Sequence, residues 1–325
     1  MSGNTFRPTP EQTNIISHEG SAFITACPGA GKTRVMVERA RYTLRSCHDG
    51  RGVAFLSFTR AAVSELEVRL RHEALIGSPV FPHFIGTFDS FIWQFIIAPF
   101  GIPDTEATPR LIPDKGSCMV QPFNKAQLLP LSCFDRITGK INPAAALRSG
   151  FDITKKRLAH IKASETCALN MQTRFRQRGE LDFDDARALA VTRVADTEFG
   201  VRLSSVLAAR FREIIVDEAQ DCNPTDLELI KWLRDAGILT KVICDPHQSI
   251  YEFRGGITDQ LFAFADTFHH DDRVTMSGNF RSSENICKAI AMLRPLEARH
   301  IVDEPLGEFK CEQTSIYILS YGGRA

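Results

Sequence analysis

A short glycine-containing segment at residues 26–33, ACPGAGKT, constrains the fold more than any other part of this chain. It follows the apolar run Ala22–Thr25 and opens a helical pattern, so the local order is strand, loop, helix. Gly29 and Gly31 allow backbone N–H groups to curve around an anion, and the N-terminus of the helix adds partial positive charge. This arrangement predicts a phosphate-binding loop, and a glycine-rich turn that caps an ordinary helix is the alternative.

The end of this loop carries the functional groups that a nucleoside triphosphate needs. Lys32 can reach the β- and γ-phosphates, and the Thr33 hydroxyl can ligate Mg²⁺. Ala26 stands where the strict pattern has glycine. We therefore predict ATP and Mg²⁺ as ligands, with these loop residues as the binding set: Ala26, Cys27, Pro28, Gly29, Ala30, Gly31, Lys32 and Thr33.

Apolar runs of strand length alternate with amphipathic segments along the chain. The predicted strands are Ala22–Ala26, Val53–Phe58, Phe84–Thr87, Ile214–Val216, Val242–Cys244 and Val274–Met276. The predicted helices are Thr33–Leu44, Ala61–His72, Asp89–Ala98, Thr225–Ala236 and Ser283–Leu293. Short apolar strands that alternate with helices are typical of a parallel sheet covered on both faces, so the predicted fold class is α/β.

Two carboxylates follow the apolar run Ile214–Val216, where a buried parallel strand ends. Ligand sites of open α/β sheets form at that carboxyl edge. We predict that Asp217 holds Mg²⁺ and that Glu218 orients and deprotonates the attacking water. The alternative is a cluster that caps the next helix, a role open to Asp221 or Asn223.

Composition limits the class of protein. The chain has 325 residues, 39 Lys+Arg and 39 Asp+Glu, which suggests about two domains and excludes a collagen, a coiled coil or a disordered chain. Its nine cysteines form no Cys-x-x-Cys pair, so neither a disulfide framework nor a structural zinc site is expected. The most apolar stretch, Phe91–Ile102, is too short to span a bilayer, and we expect a cytoplasmic protein without a membrane partner.

The strand and helix alternation breaks between the third and fourth predicted strands. Pro99–Leu131 is rich in loop residues, and Ile137–Arg178 has a helical pattern. From Arg136 to Arg178 there are ten Lys/Arg against two acidic residues, a net charge of +8 within a neutral chain. This inserted unit is predicted to contact a nucleic-acid backbone, and a set of solvated helix faces is the alternative.

Short segments occur in the order in which one helicase family carries its motifs. They are Arg7–Gln12, Ala26–Arg34, Ser57–Thr59 with Glu65, Gly86–Phe91, Asp182–Asp185, Asp217–Asp221, Asp245–Gly256 and Asn279–Ser283. In these segments, which cover residues 6 to about 290, the chain resembles superfamily 1 DNA helicases of the UvrD/Rep/PcrA type. The family's motifs Q, I, Ia, Ib, II, III and IV are present, whereas motifs V and VI are not found in Arg294–Ala325.

The resemblance implies a domain organisation. The expected fold is a RecA-like P-loop parallel sheet with helices on both faces, an inserted mainly helical subdomain and the start of a second RecA-like domain. Residues 1–98 and 181–278 would form the ATP-binding domain, 99–180 the basic insertion and 279–325 the incomplete second domain.

The resemblance also implies further roles at the ATP site. Gln12 would read the adenine, Arg34 would continue the phosphate loop, and Gln248 would sense the γ-phosphate. Arg281 would act as an arginine finger, and Phe280, where tyrosine is usual, would stack on the adenine. The implied catalytic set is Lys32, Asp217, Glu218, Gln248 and Arg281, with Thr33 and Asp217 as metal ligands.

DNA contacts are implied in three motifs. The candidates are Phe58, Thr59, Arg60, Thr87, Phe88, Tyr251, Phe253 and Arg254. Exposed aromatic side chains offer stacking platforms worth roughly 1–3 kcal/mol per base, although core packing is the commoner fate of such residues. Arg60 replaces the family's usual asparagine, and Asp89 replaces its histidine.

The predicted function is an ATP-dependent DNA helicase or translocase core that hydrolyses ATP in response to single-stranded DNA. Expected partners are single-stranded DNA, single/double-strand junctions and a protein that completes the ATP site. Three forms stay open: the front part of a longer helicase, a short relative completed by a partner chain, or a nucleotide-gated DNA-binding or scaffold protein that does not unwind DNA.

Overall fold

A computed structural model describes residues 6–46, 49–245, 248, 257–294, 296, 299–313 and 315–317. The chain forms two compact units. The first comprises Met1–Thr87 and Ser204–Ala325, and the second comprises Phe88–Leu203. The predicted insertion, 99–180, falls inside the second unit, and the predicted domain boundaries stay predictions.

The structure assigns the following elements in chain order. The strands are β1 (Ala22–Ala26), β2 (Gly52–Ser57), β3 (Phe84–Thr87), β4 (Arg110–Leu111), β5 (Met119–Val120), β6 (Leu129–Pro130), β7 (Glu180–Leu181), β8 (Phe211–Val216), β9 (Leu239–Cys244), β10 (Arg273–Met276), β11 (Gly278–Asn279) and β12 (Glu304–Pro305). The helices are α1 (Pro10–Ser17), α2 (Lys32–Ser46), α3 (Arg60–His72), α4 (Phe88–Ile92), α5 (Pro143–Arg148), α6 (Leu158–Gln177), α7 (Phe183–Ala195), α8 (Phe199–Arg210), α9 (Pro224–Asp235), α10 (Ile257–Ala265) and α11 (Glu284–Leu293).

The first unit is built on a six-stranded sheet in the order β10-β1-β9-β8-β2-β3, as the described residues show it. All of its strand pairs are parallel. Because β9 lies between β1 and β8, the phosphate loop and the acidic strand end open at the same carboxyl edge, one strand apart. The predicted α/β fold with a RecA-like parallel sheet is confirmed.

Apolar strands hold this sheet together. Every residue of β2 is buried, and only Arg212 of β8 is partly exposed. Ile24, Phe55, Ile215 and Ile243 belong to one core cluster with the apolar face of α2. Each such side chain contributes about 1.5–3 kcal/mol when it is removed from water. The sheet is therefore a rigid base for the loops at its carboxyl edge.

Local signals set the helix starts. Thr9 caps α1 in a capping box with Gln12, and Asn223 caps α9 in a capping box with Asp226. In both helices a proline occupies the first turn, where its missing N–H costs nothing. Asn223 therefore has the helix-capping role that the sequence left open between it and Asp221.

The second unit has its own core and contains the whole basic segment, 136–178. Val120, Leu131, Phe134, Phe151 and Ala168 belong to its buried cluster. The short strands β4 and β7 pair in parallel, and β5 and β6 pair antiparallel. The predicted helical run 137–178 consists of α5, a 3-10 turn and α6, with irregular residues between them.

Among the described residues, no helix has the length and hydropathy that a membrane span requires.

Candidate nucleotide-binding site

The phosphate loop adopts a backbone conformation that requires glycine at two positions. Gly29 and Gly31 have φ values of 77° and 80°, in the left-handed region. The Cys27 N–H donates to the Met276 carbonyl at 3.2 Å and ties the loop to β10. Burial raises the pKa of the Cys27 thiol to about 12, so the thiol stays neutral.

A second segment of the first unit packs directly on this loop. The Phe280 N–H donates to the Gly29 carbonyl at 2.9 Å. Asn279, fully buried, accepts hydrogen bonds at Oδ1 from the N–H groups of Arg281 and Ser282, both at 2.9 Å. The predicted stacking residue Phe280 and the predicted finger Arg281 are thus held beside the loop. The sequence motif contained Asn279, but its role as the anchor of this turn was not predicted.

The acidic strand end meets the loop through a lysine. Lys32 Nζ donates to Glu218 Oε2 at 3.1 Å. Asp217 is 6% exposed, and burial and the neighbouring Glu218 charge raise its pKa to about 6. Glu218 itself has φ 57° and ψ 41°, a left-handed conformation that is uncommon for a residue with a side chain. Such strained backbones are concentrated at functional sites.

These side chains line one cleft of about 350 Å³. The lining residues that the sequence had predicted for the site are Gly29, Ala30, Gly31, Lys32, Thr33, Arg34, Asp217, Glu218, Phe280 and Arg281. Residues that sequence reasoning did not assign to the site are Met36, Ser57, Ala62, Glu65, Leu66 and Arg69. Those from α3 share one helix face, and their spacing of three or four residues is the signal that could have identified them.

The cleft fits a nucleotide with its magnesium ion. Ser57 lines the cleft and is 4% exposed, and its Oγ has no hydrogen-bond partner among the residues that the structure describes. Such a buried hydroxyl normally has a partner. Thr33 and Asp217 line the same cleft and add oxygen ligands of the type that Mg²⁺ prefers. Positive-φ glycines leave the loop backbone open to an anion.

Gln12, predicted to read the adenine, contacts the backbone of the phosphate loop. It is 2% exposed, and its Nε2 donates to the Ala30 carbonyl at 3.0 Å. Its Oε1 accepts from the Thr9 N–H at 3.1 Å. Arg34 pairs with Glu38 at 2.8 Å and Glu73 at 3.1 Å. Adenine recognition by Gln12 stays a prediction.

The carboxyl end of β9 lies between those of β1 and β8, and the Gln220 side chain joins it to the acidic end of β8. Gln220 Nε2 donates to Glu218 Oε2 at 2.5 Å, and Gln220 Oε1 accepts from the Asp245 N–H at 2.9 Å. Gln248, the predicted phosphate sensor, is exposed, and its N–H donates to the Asp245 carbonyl at 3.0 Å.

The predicted DNA contacts have different environments. Thr59 and Arg60 are exposed at the start of α3, where the Thr59 hydroxyl also accepts from the Ala62 N–H at 3.2 Å. Phe58 and Thr87 are half-buried, and Phe88 is only 1% exposed and packs as a core residue. Three further predicted contacts lie outside the described residues: Tyr251, Phe253 and Arg254.

The sheet order and the loop after β1 define the class: a RecA-like domain with a phosphate loop at its carboxyl edge. The chain belongs to the UvrD/REP helicase N-terminal domain family, which it matches over residues 8–100 and 127–269. The family resemblance predicted from the motifs is thereby confirmed.

Relatives of the chain carry helicase names. It is 29% identical over 301 residues to the ATP-dependent DNA helicase UvrD1 of Mycobacterium tuberculosis (strain ATCC 25618 / H37Rv), covering 86% of this chain and 38% of that protein. It is 26% identical over 286 residues to the ATP-dependent DNA helicase PcrA of Staphylococcus epidermidis (strain ATCC 12228 / FDA PCI 1200), with the same coverage of 86% and 38%. The chain thus spans less than half the length of the relatives it matches.

Proposed function

We propose that this chain binds ATP with Mg²⁺ and forms the hydrolytic half of a DNA-stimulated ATPase. The observation that carries the proposal is the contact of 3.1 Å between Lys32 Nζ and Glu218 Oε2, in a cleft that Thr33 and Asp217 also line. A phosphate-binding cation and a carboxylate base at one sheet edge are the two parts that phosphoryl transfer to water requires.

Each part has a separate task. The loop N–H groups and Lys32 bind the phosphates, and Glu218 orients a water and accepts its proton. Thr33 and Asp217 would hold Mg²⁺, which neutralises charge on the phosphate oxygens when it is bound. Arg281, at the same cleft, would stabilise charge that develops in the transition state, a contribution of about 10³–10⁵ in rate for such residues.

The family relationship supports DNA as the activator. Relatives named ATP-dependent DNA helicases cover most of this chain, and the segment 136–178 supplies a net charge of +8 for a phosphate backbone. We propose that single-stranded DNA stimulates hydrolysis, and that the longer proteins of this family couple the cycle to movement on DNA. For the chain by itself we expect nucleotide binding with weak or no unwinding.

The test is ATP hydrolysis with and without single-stranded DNA, measured on this chain and on the full-length gene product. Lys32→Ala and Glu218→Gln should lower kcat by at least about 10²-fold, because each removes a group that acts on the reacting phosphate or water. Lys231→Ala and Glu228→Gln, which change exposed residues of α9, are the matched controls.

Three outcomes would contradict or redirect this proposal. Undiminished hydrolysis in both site variants would contradict the proposed ATPase. ATP binding without turnover, together with a DNA affinity that is the same with and without ATP, would favour a non-enzymatic DNA-binding or scaffold protein. Robust strand displacement by residues 1–325 would contradict the expectation of weak unwinding.

A further inference from the structure

Gln220 is a buried amide that touches two strand ends of the site at once. It is 3% exposed and lies in the 3-10 turn Ala219–Asp221, directly after the acidic strand end. Its Nε2 donates to Glu218 Oε2 at 2.5 Å, and its Oε1 accepts from the Asp245 N–H at 2.9 Å. It therefore bridges the predicted base and the residue that follows β9.

The chemistry of the two partners fixes the orientation of this amide. A backbone N–H at Asp245 requires an acceptor, and the Glu218 carboxylate requires a donor. Glutamine offers both on one side chain, whereas glutamate offers no donor when ionised and methionine offers no strong hydrogen-bonding group. Asparagine is one methylene shorter. Of these side chains, only glutamine has the length, the donor and the acceptor that the contacts of residue 220 require.

The contact also bears on how Glu218 is held. Within the described part of the chain, the Glu218 side chain accepts two hydrogen bonds, from Lys32 and from Gln220, and both fall on Oε2. Oε1 is then the oxygen with lone pairs for a water proton. Lys32 is also the group that binds phosphate, so its bond to Glu218 competes with the ligand. The bond from Gln220 involves no phosphate-binding group and has no such competitor.

We propose that Gln220 is a positioning residue that holds the base Glu218 in place and ties it to the end of β9. The proposal rests on the proposed ATPase and deepens it. Because the Asp245 carbonyl also accepts the N–H of Gln248, Gln220 connects the base Glu218 to the turn from Asp245 to the predicted phosphate sensor. Gln220 is not among the residues that line the cleft, whereas Glu218 is, so Gln220 acts through Glu218.

Two substitutions separate the two contacts. Gln220→Met keeps the length of the side chain and removes both hydrogen bonds. Gln220→Glu keeps an acceptor for the Asp245 N–H and removes the donor to Glu218. We expect kcat for ATP to fall about 10–100-fold in both variants, with KM within about threefold of wild type, because a small misplacement of a catalytic group costs rate and not binding. The stimulation ratio by single-stranded DNA should persist in Gln220→Glu and fall in Gln220→Met.

A double-mutant cycle distinguishes positioning from general destabilisation. In a Glu218→Gln background the residual rate should change less than twofold when Gln220→Met is added, because the base that Gln220 holds is already gone. Equal losses in both backgrounds would overturn the proposal. Gln172→Met is the matched control, since Gln172 is a buried glutamine of the second unit whose Nε2 donates to the Asp135 carbonyl at 3.1 Å.

A measurement without turnover keeps this test independent of the proposed function. Hydrogen–deuterium exchange of the Asp245 amide should accelerate at least tenfold in Gln220→Met and stay near wild type in Gln220→Glu. Unchanged exchange in Gln220→Met would overturn the link to β9. If wild type hydrolyses no ATP, the proposed function fails, and the exchange result still decides whether Gln220 joins the two strand ends.

Discussion

Gly29 has the most demanding backbone position in the site. Its φ of 77° disfavours any side chain, and an added Cβ would lie 2.6 Å from Asn279 Oδ1 and 2.7 Å from Arg281 Cβ. A Cβ at this position therefore has two unfavourable effects, backbone strain and a steric clash. Strain alone would destabilise the loop, and the collision would displace the segment that holds Phe280 and Arg281 beside it.

We predict that Gly29→Ala weakens ATP-analogue binding by at least about tenfold, or 1.4 kcal/mol. Gly237→Ala is the matched control, since Gly237 has φ 84° and no atom within 4 Å of the added Cβ. The control should lose roughly 1 kcal/mol of stability from backbone strain and keep its nucleotide affinity. Equal affinity losses measured by fluorescence titration in the two variants would show that collision with Asn279 is irrelevant.

The loop and the acidic strand end were predictable residue by residue, because their chemistry is local. Lys32 and Glu218 follow from a strand, a turn and two carboxylates. Asn279 and Gln220 were not predicted to have roles, although both lie in recognised motifs. Their functions depend on which strand ends are neighbours, and the strand order β1-β9-β8 is a property of the folded sheet. The anchoring and bridging roles are therefore tertiary information.

At the scale of elements, β8 and β9 each begin three residues before the apolar run that predicted them. The predicted runs Ile214–Val216 and Val242–Cys244 begin after charged residues, whereas β8 and β9 include Glu213 and Lys241. Glu213 is fully buried and accepts from Arg39 at 2.9 and 3.0 Å. A buried charge with a bidentate partner is tolerated in a sheet core, but an apolar pattern cannot detect it.

Lys241 makes the stability of the sheet depend on pH. It is 1% exposed, and its Nζ donates to the His18 carbonyl at 3.0 Å. Burial lowers the pKa of Lys241 to about 8 from 10.5, and Arg39 adds to this effect, although Glu213 and Asp272 oppose it. Because the folded state releases this proton at lower pH than the unfolded state does, the cost of the buried ammonium is present below pH 8 and is relieved as pH rises.

We therefore predict that wild type gains about 2 kcal/mol of unfolding free energy relative to Lys241→Met between pH 7 and pH 9.5. The measurement is urea unfolding of both proteins at each pH, since the difference cancels groups that titrate in both. Lys231→Met, a change at an exposed lysine, should show no such difference. A wild-type gain that is equally large against both variants would place the titration elsewhere.

The N-terminus of α7 is a second element whose stability depends on buried charge. Asp182 is 2% exposed, caps α7 in a capping box with Asp185, and pairs with Arg136 at 3.1 Å. Removal of its carboxylate would uncap the helix and remove the shorter of two buried ion pairs of Arg136, whose other buried partner, Asp185, lies at 3.8 Å. The recognised sequence segment Asp182–Asp185 thus has a structural role in the second unit.

We predict that Asp182→Ala lowers the unfolding free energy by about 2–4 kcal/mol, because the substitution removes the helix cap and breaks the ion pair. Asp184→Ala is the matched control, because Asp184 contacts the same Arg136 at 3.2 Å but its side chain is 62% exposed. An exposed pair contributes about 0–1 kcal/mol, so the control should stay within that range in thermal or urea unfolding. Similar losses in both variants would contradict the importance of the cap.

At the scale of the whole molecule, zero net charge is a cancellation. The segment 136–178 has a net charge of +8, so the rest of the chain has a net charge of −8. Lys155 is 81% exposed and Arg157 is exposed at the start of α6, whereas Lys156 Nζ donates to Gln127 Oε1 at 2.9 Å. Overall neutrality therefore gives no information about affinity for nucleic acid, whereas the local charge does.

We predict that the combined substitutions Lys155→Glu, Lys156→Glu and Arg157→Glu weaken single-stranded DNA binding and flatten its salt dependence. Each DNA phosphate that the variant no longer neutralises should reduce the slope of log K against log salt by about 0.7, so the slope should fall by up to about 2. Reversal of three basic residues of the first unit, Lys231, Lys288 and Lys310, changes the net charge equally and is the control. If the two triple variants shift affinity and slope alike, total charge governs binding. If only the first does, residues 155–157 contact the DNA backbone.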